Sequence, residues 1–241
     1  MVYELIIIII ASIFLSLVFR KYLERRHKLT LYLFIIFLNF VIALIFSWLS
    51  KVLRLYSGLE YLVNPSVPDP MTFESWFLLR IVSFRFTMIF TIIALLYNYI
   101  LKINLFEAEE NKIYNYIIYG YAGGAILYMI IVYIKGNFIL DLLTFVLVLI
   151  YMCLVLIPLM RSSFQAYKAV DESSFKRGFL SLFLMALSII LIFVCQVIDR
   201  ILMILWNIIG YTFFYFLGWS FAIIAVFFAY FGYINPKSKK E

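Results

Sequence analysis

The chain has 241 residues, of which 66% are hydrophobic, 20% aromatic and only 14% charged, and its mean hydropathy is +1.07. These values exclude an ordinary soluble domain and predict an all-α integral membrane protein of the cell membrane, because only a helix satisfies its own backbone groups in lipid. The formal charge of +7 does not call for nucleic acid, since a cytoplasmic face beside anionic lipid accounts for it.

Seven apolar runs are each long enough, at about 20 residues, to span a hydrocarbon core of roughly 30 Å as a helix. They lie near residues 2–19, 29–50, 76–101, 113–134, 141–160, 178–203 and 209–234. The first run has its basic residues after it, the reverse of a signal peptide, so we expect it to be retained. An uncharged turn from Trp206 to Gly210 joins the last two runs and leaves six long helices with a re-entrant piece as an alternative. We expect one seven-helix transmembrane domain over 1–241.

The basic residues predict how the bundle is oriented. Fourteen of the 20 Lys and Arg residues lie in four segments, which are therefore expected in the cytoplasm. These segments are 20–28, 102–112, 161–177 and the C-terminal tail. The N-terminus is then outside and the C-terminus inside. Segments 20–28 and 161–177 are candidates to contact a cytoplasmic signalling partner, although 161–177 is also compatible with a solvated helical extension.

Two of the predicted helices carry small residues at spacings that favour close helix contacts. The fourth helix contains Gly120, Gly123 and Gly124, and the seventh repeats Gly218, Ala222, Ala225, Ala229 and Gly232. The pattern favours contacts within the bundle and leaves a homo-oligomer open. Cys153 and Cys195 both lie within helices and His27 lies in a basic loop, so neither a disulfide framework nor a metal site is expected.

The third predicted helix carries arginine at membrane depth. Arg80, Thr87 and four other polar or small residues share one face of this helix, whereas Arg85 lies about 140° around it. Polar groups on two faces predict protein on both sides, which places this helix at the centre of the bundle. Arg85 is roughly 15 Å from the start of the helix, so a partner or a hydrated cavity is expected beside it.

The sixth helix supplies the expected neighbours. The segment CQVIDR places Gln196, Asp199 and Arg200 in its outer half, and Asn207 continues that face. One interpretation pairs Arg80 or Arg85 with Asp199, the one acid expected inside an apolar run. The other starts from three arginines facing one aspartate, because the surplus positive charge suits an anionic ligand entering from outside. The candidate ligand-binding residues are Arg80, Arg85, Gln196, Asp199, Arg200, Asn39, Thr87 and Asn207, with Tyr128, Tyr133, Tyr211, Tyr215 and Trp219 as candidates for the cavity wall.

In outline, an N-out bundle of seven helices resembles the microbial rhodopsins, whose chromophore needs a lysine in the last helix. Every lysine here is expected in a loop or at a helix end, which excludes a retinal Schiff base. The closing segment FFAYFGYINPKSKK and the basic loop 20–28 resemble more closely the seven-helix sensor regions at the N-terminus of some prokaryotic histidine kinases. No kinase or other output domain is recognised here, so this resemblance implies signalling through a separate partner.

We therefore expect a receptor-like or sensory membrane protein that binds an external anionic or amphipathic ligand, or a lipid, in an outer-half pocket and signals through its cytoplasmic loops. A small transporter or channel with a mid-membrane site for an anionic substrate is one alternative. A structural membrane subunit, whose charges only fix helix packing, is another. We expect no enzyme and no cofactor, because no nucleophile with an adjacent base, no paired acids and no metal ligands are recognised.

Overall fold

The computed structural model describes residues 1–106, 111–206 and 212–234, and every regular element in these residues is helical. The α-helices in chain order are α1 (Val2–Arg25), α2 (Lys28–Tyr56), α3 (Phe73–Val82), α4 (Arg85–Phe106), α5 (Lys112–Ile131), α6 (Phe138–Ala169), α7 (Ser173–Trp206) and α8 (Phe213–Ala229). A 3-10 turn at Glu60–Leu62 and a π-helical turn at Tyr230–Ile234 complete the described elements.

Six helices of the described part are long and apolar enough to cross a membrane, namely α1, α2, α4, α6, α7 and α8. The chain is therefore an all-α, multi-pass membrane protein. α5 has 20 residues but is not among the six, because its tyrosines, glycines and Asn115 lower its hydropathy. The segment 161–177 is mostly helical, since α6 continues to Ala169 and α7 begins at Ser173.

The third predicted helix, 76–101, is divided in the structure into α3 and α4. Phe84, between the two helices, adopts a φ of 62°, in the left-handed region that is unfavourable for a residue with a Cβ. Tertiary contacts accompany this conformation, since the Phe84 ring lies 5.3 Å from Lys51 Nζ and 5.2 Å from Arg200 Cζ. The angle predicted between Arg80 and Arg85 on one continuous helix therefore does not apply.

The helices form two pairs with an open space between them. α2 packs along α4, and α7 packs along α8, while α6 contacts both α4 and α7. α1 bridges the pairs on the other side by contacting α2 and α8. Within the described residues, α2 and α4 make few or no close backbone approaches to α7 and α8. The space between the two pairs is the cavity described below.

Small residues set the close contact between α7 and α8. A Cβ at Gly218 would lie 3.3 Å from Cys195 Cβ, and one at Gly232 would lie 3.3 Å from Leu182 Cδ2. The predicted close contact within the bundle is therefore confirmed for this helix. The glycines of α5 differ, because a Cβ at Gly124 or at the two glycines before it would meet nothing within 4 Å. They lie on an exposed face of α5.

Candidate ligand-binding cavity

A cavity of about 140 Å³ lies between the α2–α4 pair and the α7–α8 pair, and residues of α1 and α6 complete its wall. Its lining extends from Phe37 to Lys51 on α2 and from Met185 to Arg200 on α7. At a rise of 1.5 Å per residue, these spans make the cavity roughly 21 Å long. The cavity is therefore long and narrow, and it runs along the helices.

The polar side chains of the wall are concentrated at one end. They are Ser47 and Lys51 on α2, Thr87 and Thr91 on α4, Gln196 and Arg200 on α7, and the polar edges of Tyr215 and Trp219 on α8. Elsewhere the lining is apolar, with Phe37, Phe40, Met185, Ile189 and Phe193 among its members. The cavity thus has Lys51 and Arg200 at one end and an apolar lining along the rest of its length.

Lys51 forms a buried ion pair at the polar end. Its Nζ donates to Glu4 Oε1, and the two residues are 4% and 1% exposed. The ammonium also lies 5.3 Å from the ring centroids of Phe84 and Tyr215, and 5.6 Å from that of Trp219. These rings attract a cation through their quadrupoles. The charge of Lys51 is therefore held between a carboxylate and an aromatic cage.

The carboxylate of Glu4 connects three helices. The hydroxyl of Tyr215 on α8 donates to its Oε1 over 2.9 Å, and that of Ser47 on α2 donates to the same atom over 3.4 Å. Glu4 itself lies in the first turn of α1, where an acid is favourable for the helix dipole. The ion pair thus fixes α1, α2 and α8 around the polar end of the cavity.

Arg200 supplies the second cation of the cavity wall. Its guanidinium Cζ lies 5.2 Å from the ring centroid of Phe84 and 5.0 Å from that of Phe145. Its Nη1 is 3.4 Å from Met203 Sδ. The side chain is half-buried and lines the cavity, so its charge acts on whatever occupies this end.

Asp199 has a different role from the one expected. Its Oδ1 accepts hydrogen bonds from the backbone N–H and the hydroxyl of Thr212, at 2.9 Å and 2.6 Å. Thr212 is the N-cap of α8, so this buried carboxylate caps the start of the neighbouring helix. Neither Arg80 nor Arg85 forms an ion pair with Asp199, and the predicted pairing is wrong.

Arg85 pairs instead with an acid on α6. Its Nη2 lies 3.4 Å from Asp141 Oδ1 and 3.5 Å from the carbonyl of Leu140, and its guanidinium lies 5.5 Å from the ring of Tyr128. The side chain is 1% exposed, and its Nε and Nη1 have no hydrogen-bond partner among the described residues. Arg85 does not line the cavity between the helix pairs. It ties the start of α4 to the start of α6.

Arg80 closes the end of α5. Its Nε and Nη2 donate to the carbonyl of Ile130, at 3.0 Å and 2.7 Å, and this carbonyl lies in the last turn of the helix. Its guanidinium stacks 4.0 Å from the Trp76 ring and 5.3 Å from the Tyr133 ring. Burial raises the pKa of Tyr133 to about 12, so this ring stays a neutral phenol. Arg80 and Arg85 both border a separate groove beside α3, α4 and α5.

The remaining candidates divide between the cavity and other places. Gln196, Arg200 and Thr87 line the cavity, as do Tyr215 and Trp219. Asn39 does not line it and donates from Nδ2 to the carbonyl of Ile35 over 2.8 Å. Asn207 and Tyr211 lie outside the described residues.

The ion pair of Glu4 and Lys51 was not predicted from the sequence, because Lys51 follows the predicted end of the second helix at residue 50 and Asp199 was expected to be the one buried acid. Lys51 lies within α2, before its end at Tyr56. The helical spacing gave a signal, because Glu4, Ile7 and Ala11 stand at positions i, i+3 and i+7 and therefore share one face of α1. Ile7 and Ala11 on this face line the cavity. A charge that continues an apolar helical face is a candidate for burial, even near a helix end.

No protein-family model, no curated protein and no solved structure matches this chain. The fold and the cavity therefore define its class, which is a multi-pass helical membrane protein with an internal amphipathic cavity.

Proposed function

We propose that this chain is a receptor-like membrane protein that binds an amphipathic ligand in the cavity and transmits its presence to the far ends of the helices. The observation that carries this proposal is the distribution of polar groups along the cavity, with cations at one end and an apolar wall over the rest. A small polar solute would leave the apolar length unused, and a purely apolar molecule would make no polar contact with the groups at the other end.

The position of the cavity supports a role in sensing. The α2–α4 pair and the α7–α8 pair face each other across it and are joined mainly through α6 and α1. A ligand that binds between the pairs shifts their separation only if it binds one arrangement of the two pairs more tightly than the other. α2 begins at Lys28 and α7 at Ser173, both at the end opposite the polar groups. A change in separation would therefore reach the segments 20–28 and 161–177.

We propose further that the chain crosses the membrane seven times, with its N-terminus outside. At about 1.5 Å per residue, α5 is roughly 30 Å long, enough to cross the hydrocarbon core. Its first turns meet the end of α4 through the hydrogen bond between Asn115 and Tyr99, and its last turn meets Arg80. The bias of Lys and Arg puts 20–28 and 161–177 in the cytoplasm, so the polar end of the cavity faces outside.

Cysteine labelling tests this orientation. In a chain whose native cysteines are replaced by alanine, Ser66→Cys and Asp171→Cys each place one thiol at an exposed position, at opposite ends of the bundle. We expect a membrane-impermeant maleimide to label Ser66→Cys in intact cells and to label Asp171→Cys only after lysis. The reverse pattern would contradict the orientation.

Ligand binding is tested with a variant that fills the cavity. Ala43 lines the cavity, whereas Ile45 on the same helix is 43% exposed and does not line it. Purified wild type, Ala43→Phe and Ile45→Phe are each assayed with hexadecanoate, hexadecanol and hexadecyltrimethylammonium. The proposal predicts that at least one of these amphiphiles binds the wild type and Ile45→Phe but not Ala43→Phe. Binding of none of them, or equal binding to all three proteins, would refute it.

Reconstituted vesicles separate sensing from the transport alternative. Binding of the radiolabelled amphiphile without uptake favours the receptor, and time-dependent uptake favours a transporter. Spin labels at His27→Cys and Asp171→Cys report the movement that sensing requires, since both positions are exposed at the far end. We expect the distance between the labels to change on binding, and an unchanged distance with bound ligand would contradict a receptor.

A further inference from the structure

We infer that the groove beside α3, α4 and α5 binds an anionic membrane lipid, with one acyl chain along α4 and the phosphate beside Arg80. This groove is separate from the cavity, so the inference goes beyond the proposed function and does not rest on it. Three observations carry it, namely the form of the groove, its depth in the membrane and the charge at its α3 end.

The form of the groove suits part of one acyl chain. Its volume is about 420 Å³, and its lining on α4 extends from Arg85 to Ile93, a length of roughly 12 Å at 1.5 Å per residue. The volume equals that of roughly fourteen molecules of liquid water, at about 30 Å³ each. Phe73 and Phe77 of the wall are 80% and 36% exposed, so the groove is open to the bilayer, where the second chain of a lipid stays. The apolar lining consists of Phe73, Trp76, Phe77, Phe86, Ile89, Phe90, Ile93 and Ile130.

The groove extends from the membrane interface into the hydrocarbon. α4 is a spanning helix that begins at Arg85, so the wall from Phe86 to Ile93 lies in the first turns below the interface. α3 comes before this span and is too short to cross the membrane, and its Trp76 is a residue typical of the interface. A lipid with its chain along α4 therefore has its phosphate at the level of α3. In the proposed orientation this lipid belongs to the outer leaflet.

Arg80 supplies a positive charge that no acid balances. Its guanidinium donates to the carbonyls of Ile130 and Trp76 and stacks on the Trp76 ring, but it forms no ion pair among the described residues. Arg85, by contrast, is paired with Asp141. The side chain of Arg80 is 7% exposed, and a charge at this burial is unfavourable without a counter-ion. A lipid phosphate is an anion that the membrane provides at this depth.

The guanidinium of Arg80 also has donors left for a phosphate. It carries five N–H groups, and its hydrogen bonds to the carbonyls of Ile130 and Trp76 use three of them. One N–H on Nη1 and one on Nη2 remain, and arginine binds phosphate oxygens well with such a pair. A zwitterionic head group balances its phosphate with its own ammonium. An anionic lipid such as phosphatidylglycerol therefore gains more from Arg80.

Native mass spectrometry of the full chain tests the inference. The purified protein in detergent micelles is titrated with phosphatidylglycerol or with phosphatidylcholine of identical acyl chains, and the occupancy of the first bound lipid is measured. We expect the wild type to bind phosphatidylglycerol about fivefold more tightly than phosphatidylcholine, because only the anionic lipid balances the charge of Arg80.

A variant that fills the groove tests where the lipid binds. Ile130→Trp places a larger side chain in the groove from α5. Ile131→Trp is the matched control, since Ile131 is 71% exposed and does not line the groove. We expect Ile130→Trp to lose about fivefold or more in affinity for phosphatidylglycerol and Ile131→Trp to keep the affinity of the wild type.

A second variant tests the charge. Arg80→Gln should bind phosphatidylglycerol and phosphatidylcholine with equal affinity. Arg20→Gln, in an exposed pair with Glu24 at the opposite end of the bundle, should keep the preference for phosphatidylglycerol. Where Arg80→Gln does not fold, because the last turn of α5 loses its hydrogen bonds, Ile130→Trp and its control decide.

The outcomes separate a lipid in the groove from other occupants. If the wild type binds both lipids equally, or if Ile130→Trp binds phosphatidylglycerol as tightly as Ile131→Trp, the inference is wrong. If glycerol 3-phosphate alone displaces the lipid, the groove recognises a soluble anion and the lipid assignment is wrong. Ala43→Phe should leave phosphatidylglycerol binding unchanged, because the cavity and the groove share no lining residue. Loss of binding in Ala43→Phe would place the lipid in the cavity and overturn the inference, whereas the amphiphile assay of the proposed function stands apart from all these results.

Discussion

Replacing Glu4 with glutamine tests the buried ion pair at the polar end of the cavity. The substitution removes the negative charge and hardly changes the size of the side chain. Lys51 then remains 4% exposed, with Ser47 Oγ at 3.4 Å and three aromatic rings around it, but without a counter-ion. The free energy of unfolding should fall, because a buried charge without a partner is costly.

The expected loss follows from the surroundings of Lys51. Removing one partner of a buried ion pair typically costs about 3–5 kcal/mol. The cation–π contacts remain in the variant and stabilise the ammonium by about 1 kcal/mol or more, so we expect a loss near 3 kcal/mol. Glu24→Gln on the same helix breaks an exposed i,i+4 pair whose side chains are 81% and 58% exposed, and this should cost less than about 0.5 kcal/mol.

The measurement is SDS-induced unfolding in mixed micelles, followed by far-UV circular dichroism. The double variant Glu4→Gln with Lys51→Met should recover most of the lost free energy, because removing both charges is far less costly than removing one. If Glu4→Gln proves as stable as Glu24→Gln, or if the double variant recovers nothing, the ion pair does not stabilise the fold as argued.

Three further predictions concern positions away from the cavity. Arg85→Gln should lower the free energy of unfolding by about 1–3 kcal/mol through loss of its contact with Asp141, while amphiphile binding by the purified protein is unchanged. Reduced binding would contradict the assignment of Arg85 to packing. Gly218→Leu should lower the melting temperature, because overpacking against α7 costs about 1–3 kcal/mol. Gly124→Leu, on the open face of α5, should not lower it. Equal melting temperatures for the two variants would contradict the close packing of α8 on α7 at Gly218. Asp199→Ala should cost about 1 kcal/mol or more and speed hydrogen exchange in the first turn of α8, and unchanged exchange there would argue against the cap.

The sequence by itself determined the class of the protein and part of the cavity. Long apolar runs predict helices in lipid because each helix satisfies its own backbone hydrogen bonds, which is a local requirement. Helical periodicity also placed Gln196 and Arg200 on the face of α7 that turned out to border the cavity. The small residues of α8 predicted its close contact with another helix, since a glycine or alanine seam needs no knowledge of the partner.

Only the tertiary structure decided which polar groups meet. Glu4 and Lys51 are 47 positions apart, and Arg85 and Asp141 are 56 apart, so their pairing depends on which helices become neighbours. Periodicity gives the face on which a side chain lies but not the helix that covers this face. The break at Phe84 has the same origin, because its left-handed backbone is locally unfavourable and its ring is packed against Lys51 and Arg200 from two other helices.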